Sequence, residues 1–151
     1  MLRFLLFLMV SCFSLVDCLG QPREVTFSEL EVLMNKDPKP VVVFLHTDWC
    51  SYCALMERKT FSDKEVQKNL NENFYFVSFN AETESDIYFR KHLFSFKKKG
   101  IKSGVHELAT ALGKDNAYPA VVVLNEDYQI IYQHFAYMRP IEMNKLLSTI
   151  N

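Results

Sequence analysis

Residues 40–53 read PVVVFLHTDWCSYC. The apolar, largely β-branched run from Val41 to Leu45 has no polar residue to mark a solvent face, so it reads as a strand buried on both sides, as in a parallel sheet. Asp37-Pro38-Lys39-Pro40 stands before it and breaks whatever precedes, because proline lacks an amide donor and restricts its neighbour. After Cys50 the chain runs through Leu55, Met56, Lys59 and Thr60 without a breaker, the pattern of a helix with a kink or break near Phe61. Cys50 therefore falls at the N-cap of a helix and Cys53 in its first turn. Two cysteines so placed could hold a metal, close a structural disulfide, or exchange electrons with the thiols of another protein.

The flanking sequence supplies the setting. Upstream, Thr26-Phe27-Ser28-Glu29 has the form of a capping box, and Phe27, Leu30, Leu33 and Met34 follow at helical spacing. Downstream, Ser62-Asp63-Lys64-Glu65 reads as a second capping box for a helix whose inner face is Val66 and Leu70, and residues 74–79, FYFVSF, read as another central strand. Strand, helix and parallel strand make a right-handed crossover. Residues 87–96 read as a small hairpin, Lys97, Lys98 and Lys99 as a solvated loop, and 100–104 as a further loop. Val105, Leu108, Ala109 and Leu112 keep helical spacing up to Gly113. Residues 120–124 are a strand, Asn125-Glu126-Asp127 a turn and 129–135 its antiparallel partner, and Pro140 opens a last helix with Met143, Leu146, Leu147 and Ile150 inward.

The chain has 151 residues, 49% of them hydrophobic, and a formal charge of -1, which suits a single α/β domain and offers no electrostatic footprint for nucleic acid. Residues 1–20, MLRFLLFLMVSCFSLVDCLG, have the three-part form of a secretory signal cut after Gly20, leaving a mature domain of 21–151 that is periplasmic or secreted. The apolar stretch is short for a membrane span and is closed by Asp17. Met9-Val10-Ser11-Cys12 offers a rival processing, a lipobox that tethers the domain through a lipid on Cys12. Cleavage at Gly20 leaves Cys50 and Cys53 as the only cysteines, too few for a disulfide framework.

Metal binding fits poorly, since structural zinc takes four ligands and His46, His92, His106 and His134 form no second pair at ligand spacing. A purely structural disulfide across so short a loop restrains the unfolded chain little. For exchange chemistry the site is well made: unpaired amides and the helix dipole favour a thiolate at Cys50, and Cys53, one turn further in, is placed to attack a mixed disulfide. His46 is the nearest histidine, but its direction is not readable from sequence.

Asp48-Trp49-Cys50-Ser51-Tyr52-Cys53 after a buried strand, with Tyr118-Pro119-Ala120 before a late one, resembles the two signatures of the thioredoxin superfamily, and the likeness extends over about residues 25–150. It is similar in particular to exported bacterial thioredoxin-like thiol-disulfide oxidoreductases. The resemblance implies a thioredoxin fold: a central mixed β-sheet flanked by helices, here with an extra hairpin or loop at 87–104 before the cis-proline strand. It further implies that Pro119 is cis, that Tyr118 offers its backbone to an extended substrate, and that Trp49, Tyr118 and Pro119 shape the contact surface. Where thioredoxins carry a buried aspartate six residues before the first cysteine, this chain has Phe44, so the proton route must differ. Oxidising relatives commonly place a histidine between the cysteines, whereas Ser51-Tyr52 adds no charge.

The expected activity is thus dithiol-disulfide exchange on protein substrates through a redox-active Cys50–Cys53 pair, reducing rather than oxidising. Cys50 is the nucleophile and Cys53 the resolving thiol, and no cofactor or metal is required. The expected partners are protein thiols or disulfides and a membrane-bound or soluble thiol electron donor, met by a monomer. The alternative is a non-enzymatic binding module of the same fold with a structural Cys50–Cys53 disulfide.

Overall fold

The computed structural model describes residues 21–100, 103–114 and 116–150. In chain order the elements are α1 (Phe27–Met34), β1 (Val41–His46), α2 (Ser51–Lys59), α3 (Lys64–Asn73), β2 (Tyr75–Asn80), β3 (Ile87–Phe89), β4 (His92–Phe94), β5 (Phe96–Lys98), β6 (Gly104–His106), α4 (Glu107–Leu112), β7 (Ala120–Leu124), β8 (Ile130–His134) and α5 (Pro140–Ile150). The main sheet has the order β2-β1-β7-β8, with β1 parallel to β2 and antiparallel to β7. Val41, Val42, Val43, Phe44 and Leu45 are all completely buried, as the unbroken apolar run requires of a strand with ladders on both edges and side chains on both faces.

Strand alternation divides the core in two. Val41, Val43 and Leu45 face α1 and α4 through Phe27, Leu30, Met34, Leu108 and Leu112. Val42 and Phe44 face α2, α3 and α5 through Met56, Val66, Leu70, Met143 and Leu147, and both cysteines belong to this second cluster. The result is a mixed sheet between two helical layers, the thioredoxin-like α/β fold expected from the sequence.

The break near Phe61 is present: α2 ends at Lys59, α3 starts at Lys64, and Phe61 turns inward against Phe44 and Phe76, with ring centroids 4.8 Å apart in each case. Thr60 Oγ1 secures this corner by donating to the Met138 carbonyl at 2.6 Å. The cap that restarts the helix is Asp63, not Ser62. The Asp63 carboxylate accepts the amides of Glu65 and Val66, whereas the Ser62 hydroxyl is spent on the Arg58 carbonyl. A carboxylate one residue further on serves the same orphan amides and also suits the positive end of the helix dipole.

Between β2 and β7 the structure departs from several sequence expectations. Residues 87–98 and 104–106 form two short antiparallel ladders, β3 with β4 and β5 with β6. Lys97 and Lys98 lie in β5, not in a loop, and both remain exposed, with the Lys97 ammonium 3.2 Å from the Glu107 carboxylate. Val105 belongs to β6, so the helix starts at Glu107. His106 ends the strand and caps the helix, its Nδ1 accepting the Leu108 amide at 3.2 Å. Helical spacing alone could not show that the first apolar residue of the stripe sits before the cap. Gly113 does end α4, but in extended backbone; a Cβ there would lie 2.8 Å from the Ala109 carbonyl oxygen, so close approach is what requires glycine. The proposed signal and the Cys12 lipobox lie outside the described residues.

The cap assignment has a measurable consequence. Asp63→Ala should cost about 1 kcal/mol of stability in urea denaturation, the usual value of an N-cap side chain, whereas Ser62→Ala should cost less than half of that.

Candidate active site

The strand-to-helix junction puts the cysteines where the chain has no freedom to move them. β1 ends at His46, whose carbonyl is held by the Ala81 amide at 2.8 Å. Thr47 is buried, and its carbonyl accepts the Cys50 amide at 3.2 Å, turning the chain into α2. Cys50 is the N-cap residue in extended backbone, and its Sγ accepts the Cys53 amide at 3.1 Å. A sulfur thus fills the place that a serine or aspartate oxygen takes in an ordinary cap. Cys50 and Cys53 are joined in a disulfide. Cys50 is 7% exposed and Cys53 2%, so the first sulfur is the more open of a largely covered pair.

Around the disulfide the sheet brings in Tyr118 and Pro119, whose peptide bond is cis, from the segment that leads into β7. The Tyr118 ring meets the Trp49 indole edge to face at 6.5 Å, and burial, followed by the negative charge of Glu82, pushes its phenol above the usual range. Trp49, just before Cys50, and Tyr52, between the cysteines, are 69% and 63% exposed, an aromatic surface beside the disulfide. All five residues singled out from the sequence, Trp49, Cys50, Cys53, Tyr118 and Pro119, therefore belong to one region.

Two residues of the site, Glu82 and Asn80, go unnoticed in the sequence, and a third is noticed there without a readable direction. Glu82 accepts the Trp49 Nε1–H at 3.0 Å, and Asn80 donates to Asp48 at 2.8 Å, so the end of β2 and the residues after it fix the orientation of the loop that carries Trp49. Their signal was only positional, since a parallel neighbour of β1 has to end beside the same loop. The third is His46. Its ring stacks on Phe44, with centroids 5.3 Å apart and planes 19° apart, on the face that carries the cysteines. His106, by contrast, is fully buried and engages both ring nitrogens, with Ser85 and Leu108. Among the described residues no group of three or more His, Cys, Asp or Glu is arranged to hold a metal ion.

Burial holds the His46 imidazole below its ordinary value, and Glu57 and then Asp48 oppose this in part. The native protein accordingly binds fewer protons here than the unfolded chain between the depressed value and the ordinary one of about 6.5. This contribution is complete above that ordinary value and is lost as the pH falls through the window. Glu24, raised by burial and by Glu57, acts with the opposite sign, its contribution falling as pH rises from the ordinary carboxylate range. Urea midpoints measured down from neutral pH should decline through the histidine window, and His46→Phe should flatten that part of the slope.

The thioredoxin-like domain family matches residues 27–151. Among curated proteins, the thiol:disulfide interchange protein DsbD of Escherichia coli K12 is 37% identical over 70 residues, which are 45% of this chain and 12% of DsbD. The chain thus corresponds to only a small part of that relative. Among solved structures, a DsbH oxidoreductase superposes with a TM-score of 0.62 at 16% identity, covering 86% of this chain and 84% of the other. A thioredoxin from Thermus thermophilus gives 0.61 at 20%, covering 86% and 87%. The oxidised C-terminal domain of Neisseria meningitidis DsbD gives 0.53 at 18%, covering 85% and 98%. At these identities the structural likenesses speak for the fold, and the match over 27–151 assigns the family: the chain belongs to the thioredoxin-like domain family.

Proposed function

We propose that this protein is a thiol-disulfide oxidoreductase that reduces disulfides in protein substrates, with Cys50 as nucleophile and Cys53 as resolving thiol. The observation that carries the reading is the Cys50 sulfur at the N-cap of α2, where it receives the Cys53 amide and faces the positive end of the helix. In the reduced protein that environment favours a Cys50 thiolate. The thiolate attacks one sulfur of a substrate disulfide, the substrate S–S bond breaks, and a mixed disulfide forms as the other substrate sulfur leaves. Cys53, as thiolate, then attacks the Cys50 sulfur, regenerating the internal disulfide and releasing the substrate as a dithiol. Two electrons pass from protein to substrate, and no cofactor enters the cycle. Trp49, Tyr52 and the Tyr118-Pro119 segment form the surface that receives the substrate.

Local charge supports the reducing direction. The charged groups that hydrogen bonds bring to the loop, Asp48 and Glu82, are both negative, and nothing between the cysteines is positive. Negative charge offsets part of the helix contribution to the thiolate, and a less stabilised thiolate makes a disulfide harder to reduce. A redox titration should place the pair nearer to about -270 mV, the thioredoxin end of the range, than to about -120 mV, that of a strong oxidant. The sequence of residues 1–20 supports export and removal of a signal, giving a mature monomer of 21–151 in an extracytoplasmic compartment. There it needs a thiol electron donor, and the name of the DsbD relatives, thiol:disulfide interchange protein, suggests the kind.

Alkylation of the reduced protein at mildly acidic pH should label Cys50 before Cys53. Cys53→Ala should accumulate mixed disulfides with substrates through Cys50, and Cys50→Ala should accumulate few. Insulin reduction should fall to the uncatalysed level in Cys50→Ser. A protein that binds partners equally well with and without Cys50, and reduces nothing, is a binding module instead.

A further inference from the structure

We propose that His46, with Glu57 beside it, takes the proton that the Cys53 thiol must lose before it attacks the mixed disulfide. The inference rests on the oxidoreductase reading and assigns it a proton acceptor. Cys53 is almost wholly covered, so its ionisation in an apolar cluster is unfavourable unless a nearby group accepts the proton. Phe44, fully buried on the same side of the sheet as the cysteines, has no atom able to do so.

Two residues further along β1, His46 returns to that face, and its stacking on the Phe44 ring fixes the direction that the sequence left open. Glu57 is four residues after Cys53 on α2, the spacing that brings two side chains to one side of a helix. His46 and Glu57 both line a cavity of about 610 Å³ that also takes in Glu24, Ser78 and Asn80 beside β2, the edge strand. The cavity gives a half-buried imidazole a route to solvent, while its stacking on Phe44 ties the ring to a member of the cluster that holds the disulfide.

The charges around the ring suit the task. Burial keeps the imidazole neutral near neutral pH, so a ring nitrogen has a lone pair to offer. Glu57 from α2 and Asp48 from the loop before Cys50 are the negative groups that act on it and favour the imidazolium once the proton arrives. Glu24, from the segment before α1, joins Glu57 as a second carboxyl group lining this cavity, its own ionisation resisted by burial and by Glu57. No hydrogen bond to the His46 ring is present among the described residues, in contrast to His106.

In the proposed step the Cys53 S–H proton passes to the imidazole, and the resulting thiolate forms a bond to the Cys50 sulfur. The bond from Cys50 to the substrate sulfur breaks, and the substrate leaves with the electron pair. The imidazolium then returns its proton to solvent in the cavity. Cys53 and Cys50 end as the disulfide, and the two electrons end on the substrate.

The test separates the two attacks. Reduced protein is mixed with an aromatic disulfide whose thiolate is coloured. The first release reports attack by Cys50, and the second reports displacement by Cys53. In His46→Phe, which keeps an aromatic ring against Phe44, the first release should proceed at the wild-type rate. The second should slow by about a hundredfold near neutral pH, a typical loss for a general base, and should lose its inflection at the imidazole titration. Unchanged rate and pH profile of the second release in a folded His46→Phe overturn the inference while leaving the oxidoreductase reading intact. If wild type gives no second release, that reading falls and this inference with it. Should His46→Phe fail to fold, NMR titration of the wild-type ring decides: different His46 pKa values in the oxidised and reduced protein are expected, and equal values overturn the assignment.

Discussion

The structure depends on one strand having water excluded from both of its faces. With residues 41–45 completely buried and β2 and β7 hydrogen-bonded along either edge, β1 has no alternative register that leaves its apolar side chains covered. A slip by one residue would exchange the contents of the two core clusters, moving Phe44 from the side of Phe61 and Phe76 to that of α1 and α4. Each buried apolar side chain contributes roughly 2 kcal/mol, so the position of the strand's last residue is strongly determined. The site inherits that precision. Thr47 to Cys50 is a single turn beyond the ladder, too short to lose it.

The same constraint explains why the Cys50 sulfur is part of the local fold. An N-cap must supply an acceptor to an amide that the helix cannot satisfy, and here the acceptor is the Cys50 sulfur. The Cys50–Cys53 bond therefore involves the group that also starts α2. The surrounding loop is steadied from another element, through Glu82 to Trp49 and Asn80 to Asp48. The exposed Trp49 indole and the start of the helix are thereby held by separate residues.

Much of this was legible before any coordinates. The buried run, the proline break and the junction cysteines are local signals, each set by backbone chemistry or by side-chain pattern within a few residues, whereas the Tyr118-Pro119 pair was legible only through the family resemblance. What escaped was set by contacts distant in sequence or by choices between adjacent candidates. Ser62 and Asp63 both have cap chemistry, and only the competing bond from Ser62 to Arg58 decides between them. Val105 fits a helical stripe and a strand equally well until the pairing of β5 with β6 is known. Lys97 and Lys98 show that a charged run need not be a loop, since an exposed ladder asks little of its side chains. Glu82 and His46 acquire meaning only from the parallel pairing of β1 with β2, which sets the ends of both strands side by side.

The position of Trp49 has a further, optical consequence. The chain holds one tryptophan and seven tyrosines, and that tryptophan is a neighbour of the disulfide, bonded to Glu82 and set against the edge of Tyr118. Excitation absorbed by tyrosines elsewhere in the molecule has a single indole to which it can transfer, so transferred energy is collected beside the disulfide. The fold thereby carries its one indole fluorophore beside the Cys50–Cys53 disulfide, and tryptophan emission reports on that place alone.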